Sequence, residues 1–224
     1  MELREYLAQN PYPGRGVLLG KAEGKAIIAY FIMGRSENSR NRVFVEDEGG
    51  VRTKAFDESK MQDPSLIIYY PYRRVGDKHI ITNGDQTDTI YDFLMEGSTM
   101  QEALYTREYE PDAPNYTPRI SGLLEGERAV LSILKKDAEG VNRNFFSYDL
   151  QEGVCRLIHT YQANEEPLPS FEGEPRKFAI SGSTTEIAEG IWESLNAENK
   201  VSLLVKAISK DGPVETKIIN KNGR

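Results

Sequence analysis

The sequence predicts an α+β fold built from two antiparallel sheets covered by helices. Short β-branched, apolar runs fall into two blocks, and helical stretches follow each block. No Pro/Gly/Ser-rich linker or shift in composition divides the 224 residues, so residues 1–224 read as a single domain with room for a substantial core.

Leu3, Tyr6 and Leu7 have helical spacing, and Pro11 and Pro13 end that helix. Gly16 to Ala22 and Lys25 to Met33 read as two antiparallel strands around Glu23-Gly24. Gly34 to Arg42 is a polar, basic loop. Strand-like segments follow at Val43–Glu46, Ser65–Tyr70 and His79–Thr82. Helices are expected over Thr87–Glu96, where Ile90, Phe93 and Leu94 form one apolar stripe, and over Thr99–Tyr105 behind a Ser98…Gln101 capping box. Tyr109 to Arg119 is an ordered loop rich in Pro, Asp and Asn. The second block of strands comprises Ile120–Leu124, Arg128–Leu134, Asn144–Leu150 and Val154–Tyr161. Glu165 to Ser170 reads as an exposed loop. A helix then begins at a Ser183…Glu186 capping box with Ile187, Ile191 and Leu195 on one side. Val201–Ser209 and Val214–Ile219 close the chain as strands around an Asp211-Gly212 turn.

The formal net charge of −7 argues against nucleic acid as a general partner, since phosphate neutralisation needs a basic surface. The lone cysteine, Cys155, excludes an intrachain disulfide, reads as a small core residue and fits a cytoplasmic location. Met1 to Glu5 is charged with no long apolar run behind it, so no secretory signal is expected. No stretch reaches transmembrane length, so no membrane partner is expected either.

Asn83-Gly84-Asp85-Gln86-Thr87-Asp88-Thr89-Ile90 lies between a strand end and a helix N-terminus. Free backbone N–H groups and a positive dipole end suit an anionic or amide-bearing ligand there, and an Asn-Gly turn with an N-cap explains the same residues. Gly14-Arg15-Gly16…Gly20 fits neither GxGxxG nor GxxxxGK(S/T) and runs into a strand, so its glycines read as a tight approach to that strand. Gly34 to Arg42 gathers Arg35, Arg40 and Arg42, donors that pair bidentately with phosphate, in what also fits a solvated surface loop. Lys206 interrupts a strand whose two faces are both largely apolar. It is therefore either paired or functional, or it snorkels to water from a strand edge. His79 and His159 lack metal-ligand spacing, and Asp85, Asp88 and Asp92 read as a solvated acidic face, so no metal is expected.

NGDQTDTI at positions 83–90 resembles the signature segment of the archaeal-type inosine monophosphate (IMP) cyclohydrolase family. Further segments agree in order: Gly14-Arg15 before the first strand, Arg35-Ser36…Asn41-Arg42, Tyr69 and Arg73 ahead of Val75-Gly76-Asp77, Tyr109-Glu110-Pro111-Asp112, and Asn115-Tyr116-Thr117-Pro118-Arg119-Ile120. The resemblance spans Arg15 to about Lys206. It implies a four-layer αββα sandwich like that of N-terminal nucleophile hydrolases. It also implies closure of 5-formamidoimidazole-4-carboxamide ribonucleotide to IMP, with no metal, folate or nucleotide cofactor and a purine ribonucleotide as the small-molecule partner. A homo-oligomer is compatible with it. With Met1 ahead of a helix no processed nucleophile is expected, so amide-hydrolase chemistry is not. The residues carried over are Tyr69, Glu110 and Lys206 as catalytic groups, with Tyr70 one register slip from Tyr69. Arg15, Arg35, Ser36, Asn41, Arg42, Arg73, Asn83, Asp88 and Arg119 are carried over as binding groups. Lys206 and Glu110 are expected to meet in the pocket, each favouring the other's charged form.

Overall fold

A computed structural model describes residues 1–61, 63–210 and 212–223. Helix α1 (Leu3–Gln9) leads into the hairpin of β1 (Arg15–Ala22) and β2 (Lys25–Met33). Its turn residues Glu23 and Gly24 have φ of 52° and 72°, the conformation that matches strand twist across a two-residue connection. The one-turn helix α2 (Glu37–Arg40), β3 (Arg42–Asp47), β4 (Gly50–Ala55), β5 (Tyr72–Val75) and β6 (Lys78–Thr82) follow. Next come α3 (Gln86–Met95), α4 (Met100–Tyr105), β7 (Arg119–Glu125), β8 (Arg128–Asp137), β9 (Gly140–Asp149) and β10 (Val154–His159). The chain continues through β11 (Arg176–Ala179), α5 (Thr184–Ser194), β12 (Lys200–Ile208) and β13 (Val214–Asn220).

The strands form a six-stranded sheet in the order β11-β10-β1-β2-β12-β13 and a seven-stranded sheet in the order β3-β4-β5-β6-β7-β8-β9. Neighbouring strands in both are antiparallel. Three apolar layers hold the stack. Leu3, Leu7, Ile187 and Ile191 of α1 and α5 pack on the outer face of the six-stranded sheet through Leu18, Ala29 and Leu203. Val17, Ile28, Tyr30 and Leu204 meet Phe44, Ile81, Ile120 and Leu131 between the sheets. Ile90, Leu94, Met100 and Leu104 of α3 and α4 cover Ile80, Leu123 and Val130 on the far side. The order is therefore helix, sheet, sheet, helix. Each fully buried aliphatic side chain contributes roughly 1.5–3 kcal/mol, so the two inner strand pairs β1–β2 and β2–β12, apolar on both faces, dominate the packing.

Several expectations are corrected. The basic loop contains α2, capped by Ser36, whose Oγ accepts from the Ser39 N–H at 3.1 Å. Ser65–Tyr70 is a turn and not a strand: the Ile67 and Ile68 N–H groups donate to the Pro64 carbonyl, winding the segment until Tyr69 reaches Thr53 of β4. The capping box of α4 is Thr99…Glu102, one residue later than expected. β4, β5 and β11 were not foreseen. Asp211 of the expected turn lies outside the described residues. Among those residues no helix is long and apolar enough to cross a membrane.

Candidate active site

Residues from both sheets and from two loops converge between the sheets, near the ends at which β1 and β3 begin. Arg15 opens β1 and points between the sheets, while Arg42 opens β3 and is 0 % exposed. Tyr69 comes from the turn after Pro64, held by the Tyr69 N–H donating to Thr53 Oγ1 at 2.9 Å. Glu110 sits in the loop before β7, its N–H donating to the Thr117 carbonyl at 2.9 Å. That loop is closed on itself by Asp112, which accepts from the Thr117 N–H at 2.6 Å and from its hydroxyl.

Asn83 acts as the staple that sets Arg119. Its Oδ1 accepts from the Ile120 N–H at 2.8 Å and from Gln86 Nε2 at 2.9 Å, and its Nδ2 donates to the Pro118 carbonyl at 2.9 Å. Arg119 Nη1 then donates to Asp85 Oδ1 at 2.6 Å and to Gln86 Oε1 at 2.8 Å. Gly84 is required by close approach: a Cβ there would lie 2.8 Å from Arg119 Nη1 and 3.4 Å from Glu110 Oε1.

The electrostatics of this centre are unusual for an interior. Arg15 Nη2 and Glu110 Oε2 are 4.0 Å apart, and both side chains are buried. Burial pushes the Glu110 carboxyl up to about 7, against the pull of Arg15 and Arg119. Burial, with the repulsion of Arg15, draws Arg42 below its ordinary range; burial raises Tyr69, which Arg42 and Arg15 pull part of the way back. Arg42 Nε donates to the Ser39 carbonyl at 2.8 Å, yet both of its Nη atoms have no partner among the described residues. Arg15 Nε, Arg119 Nε and Glu110 Oε1 are likewise buried and unpartnered. Unpaired buried charge is costly, so free donors in this number suit an anion or a polarised oxygen arriving from outside.

The remaining sequence-derived residues divide. Arg35 lies at the rim, half-exposed, with Nη2 3.2 Å from Glu166 Oε2 and its guanidinium over the Tyr12 ring. Ser36 is engaged as the α2 cap. Asn41 is engaged too, exchanging hydrogen bonds of 2.7 and 2.8 Å with the Asp57 backbone, so both shape the arginine loop and neither side chain faces the centre as a free donor. Arg73 and Asp88 pair with each other at 2.8 Å on the α3 side of the seven-stranded sheet, Arg73 stacking on Tyr91. Because side chains alternate and Tyr72 faces the inter-sheet core, Arg73 must face away from it. Tyr70, one residue beyond Tyr69, bonds to Asp47 at a half-exposed position.

The expected meeting of Lys206 with Glu110 does not occur. Lys206 Nζ donates to Glu46 Oε1 at 3.2 Å and Thr216 Oγ1 at 2.7 Å, and lies 4.6 Å from the Tyr72 ring centroid. Register explains it: Lys206 stands opposite Ile28 while Arg15 stands opposite Ile32, four residues and roughly 13 Å along β2. Burial lowers the Lys206 pKa, and Glu46 restores part of it. Lys206→Met is expected to change kcat less than about threefold and to leave Tm unchanged or higher, since Glu46 can hydrate once unpaired. A hundredfold fall in kcat with an intact melt would return Lys206 to the chemistry.

Sequence reasoning missed Tyr30, whose hydroxyl lies 2.7 Å from that of Tyr69, and Tyr161, whose hydroxyl lies 2.5 Å from Thr117 Oγ1. For Tyr30 the available signal was a phenol inside an otherwise apolar strand, because a buried hydroxyl needs a partner.

A profile of the family described as IMP cyclohydrolase-like protein matches residues 12–212, a span that contains every residue of this centre. The chain belongs to the IMP cyclohydrolase-like family. Among its similar relatives is the IMP cyclohydrolase of Methanopyrus kandleri, 38% identical over 72% of this chain and 89% of the relative. The IMP cyclohydrolase of Methanothrix thermoacetophila is 31% identical over 72% and 80%, and that of Methanococcus maripaludis strain C7 is 32% identical over 68% and 75%. Membership of the IMP cyclohydrolase-like family matches the resemblance carried by NGDQTDTI and the YExD and TPRI segments.

Proposed function

We propose that this centre is an IMP cyclohydrolase site, closing 5-formamidoimidazole-4-carboxamide ribonucleotide to IMP with loss of water. One observation carries the reading: a buried carboxyl held near 7 stands beside guanidinium groups whose free nitrogens await an anionic or polarised partner. The reaction is intramolecular, so the protein's tasks are to hold the reactive rotamer and to manage charge and protons. The carboxamide nitrogen bonds to the formyl carbon while the C=O π pair moves onto oxygen. Glu110 as carboxylate takes the proton from the attacking nitrogen, and Tyr69 gives its proton to the oxygen. The carbinolamine then loses that oxygen as water, with a proton returned from Glu110, and the formamido nitrogen gives its proton back to Tyr69, forming the C=N bond. Both residues end as they began.

In this reading Arg42 and Arg15 face the developing oxyanion, and Arg119 stands beside Glu110. Arg35, half-exposed at the rim, meets the substrate's phosphate by exchanging Glu166 for it. The purified protein, without added metal or folate, should convert the formamido ribonucleotide to IMP, followed by ultraviolet absorbance. Tight IMP binding without turnover above the buffer rate would replace the enzyme reading with that of a nucleotide-binding protein.

A further inference from the structure

Tyr30 lies on β2, between β1 and β12, and its side chain is fully buried. Its ring is fixed against Phe44 at a centroid distance of 5.7 Å. Its hydroxyl has one hydrogen-bond partner among the described residues, the Tyr69 hydroxyl at 2.7 Å, and the same holds for Tyr69. A hydroxyl carries one proton, so in this pair one phenol donates and the other keeps its proton free to point elsewhere. Arg15 and Arg42, whose charges act on both phenols, are guanidinium groups that accept no hydrogen bond. The free proton can therefore be used only by the carboxylate or by a ligand.

We propose that Tyr30 donates to Tyr69, which directs the Tyr69 proton into the site and makes Tyr69 the stronger donor. Tyr30 is thus a positioning residue for the ring closure, acting through Tyr69 and never touching substrate. The asymmetry has a structural basis. Tyr30 is anchored in a central strand of the six-stranded sheet, paired on both edges, while Tyr69 comes from a turn and owes its place to Thr53 and to this hydroxyl contact. The proposal rests on Tyr69 serving as the proton donor in the proposed function.

The test is a double-mutant cycle with Tyr30→Phe and Tyr69→Phe, read by kcat, KM and thermal melts. Tyr30→Phe should lower kcat about tenfold with KM within about twofold, the loss expected for one neutral hydrogen bond that matters in the transition state. In the Tyr69→Phe background the same substitution should cost nothing further, because Tyr30 has no other route to the reaction. A structural role would instead cost the same in both backgrounds and would overturn the proposal. If Tyr69→Phe itself keeps wild-type kcat, the proton-donor role of Tyr69 falls, and the Tyr30 proposal falls with it. If Tyr69→Phe is impaired and Tyr30→Phe is not, the Tyr30 inference alone is overturned. Replacing Tyr30 by 3-fluorotyrosine keeps the donor and should hold kcat within a few-fold; loss equal to that of phenylalanine would also overturn it.

Discussion

Glu110→Gln should lower kcat by about two to four orders of magnitude, the range for losing a general acid–base group. Glutamine keeps the shape and the loop's backbone bond to Thr117 but can neither take nor return the proton. In the unsubstituted protein kcat/KM should rise with pH and level off above about 7, because the base is the carboxylate that burial has raised to that value. The variant's residual activity should lack that inflection. Stability supplies an independent reading. The folded carboxyl titrates near 7, above its ordinary 4.5, so its contribution is fully present below about 4.5 and is lost as pH rises through about 7. The difference corresponds to something on the order of 3 kcal/mol. Relative to Glu110→Gln, the unsubstituted protein should therefore melt at progressively lower temperature between these two pH values. An unchanged kcat, or an inflection that survives the substitution, would remove Glu110 from the chemistry.

Arg42→Met should separate stability from activity. The unsubstituted side chain is wholly enclosed, and among the described residues its only hydrogen bond runs from Nε to the Ser39 carbonyl. Methionine fills much of the same space without the desolvated charge. Replacing buried ionic groups with apolar ones of similar volume is often stabilising by about 1–4 kcal/mol, so Tm should rise. At the same time kcat should fall by about two to three orders of magnitude, as for a lost oxyanion donor. Because Arg42 also favours the charged form of Glu110, the pH inflection should move upward in the variant. A variant that is both less stable and fully active would mean that Arg42 is a structural arginine.

The β1–β2 hairpin, both apolar faces of β12 and the capping box of α5 were legible because each rests on local periodicity or a local hydrogen bond. β4 was not. Its inward residues Val51, Thr53 and Ala55 alternate with Arg52 and Lys54, a pattern too short and too charged to stand out from a loop. Ser65–Tyr70 misled for the opposite reason: Leu66, Ile67 and Ile68 are apolar, but the Pro64 carbonyl captures the backbone N–H groups of Ile67 and Ile68. At the site, Tyr69, Glu110 and Arg119 carry no local signal that separates them from surface or core residues, and only the resemblance singled them out, whereas Arg42 stood in a basic run that fits a surface loop as well as a phosphate site. The pairing of Lys206 with Glu110, expected from placing both at the site, is replaced by a pairing with Glu46. Strand register decides which side chains meet, and register depends on pairings between segments distant in sequence.

The order of strands has a consequence for synthesis. The seven-stranded sheet uses β3 to β9 in the order in which a ribosome releases them, so it can zip up as the chain emerges. The other sheet cannot. β2 waits with one edge bare until β12 arrives, and Tyr30 stands opposite Leu204 only then. Through that interval the nascent chain presents an apolar strand edge of the kind that recruits chaperones or aggregates. Translation pausing between β11 and β12 would lengthen the exposure. The strand that relieves it supplies none of the groups proposed to handle protons, yet the floor on which Tyr30 rests is incomplete without it.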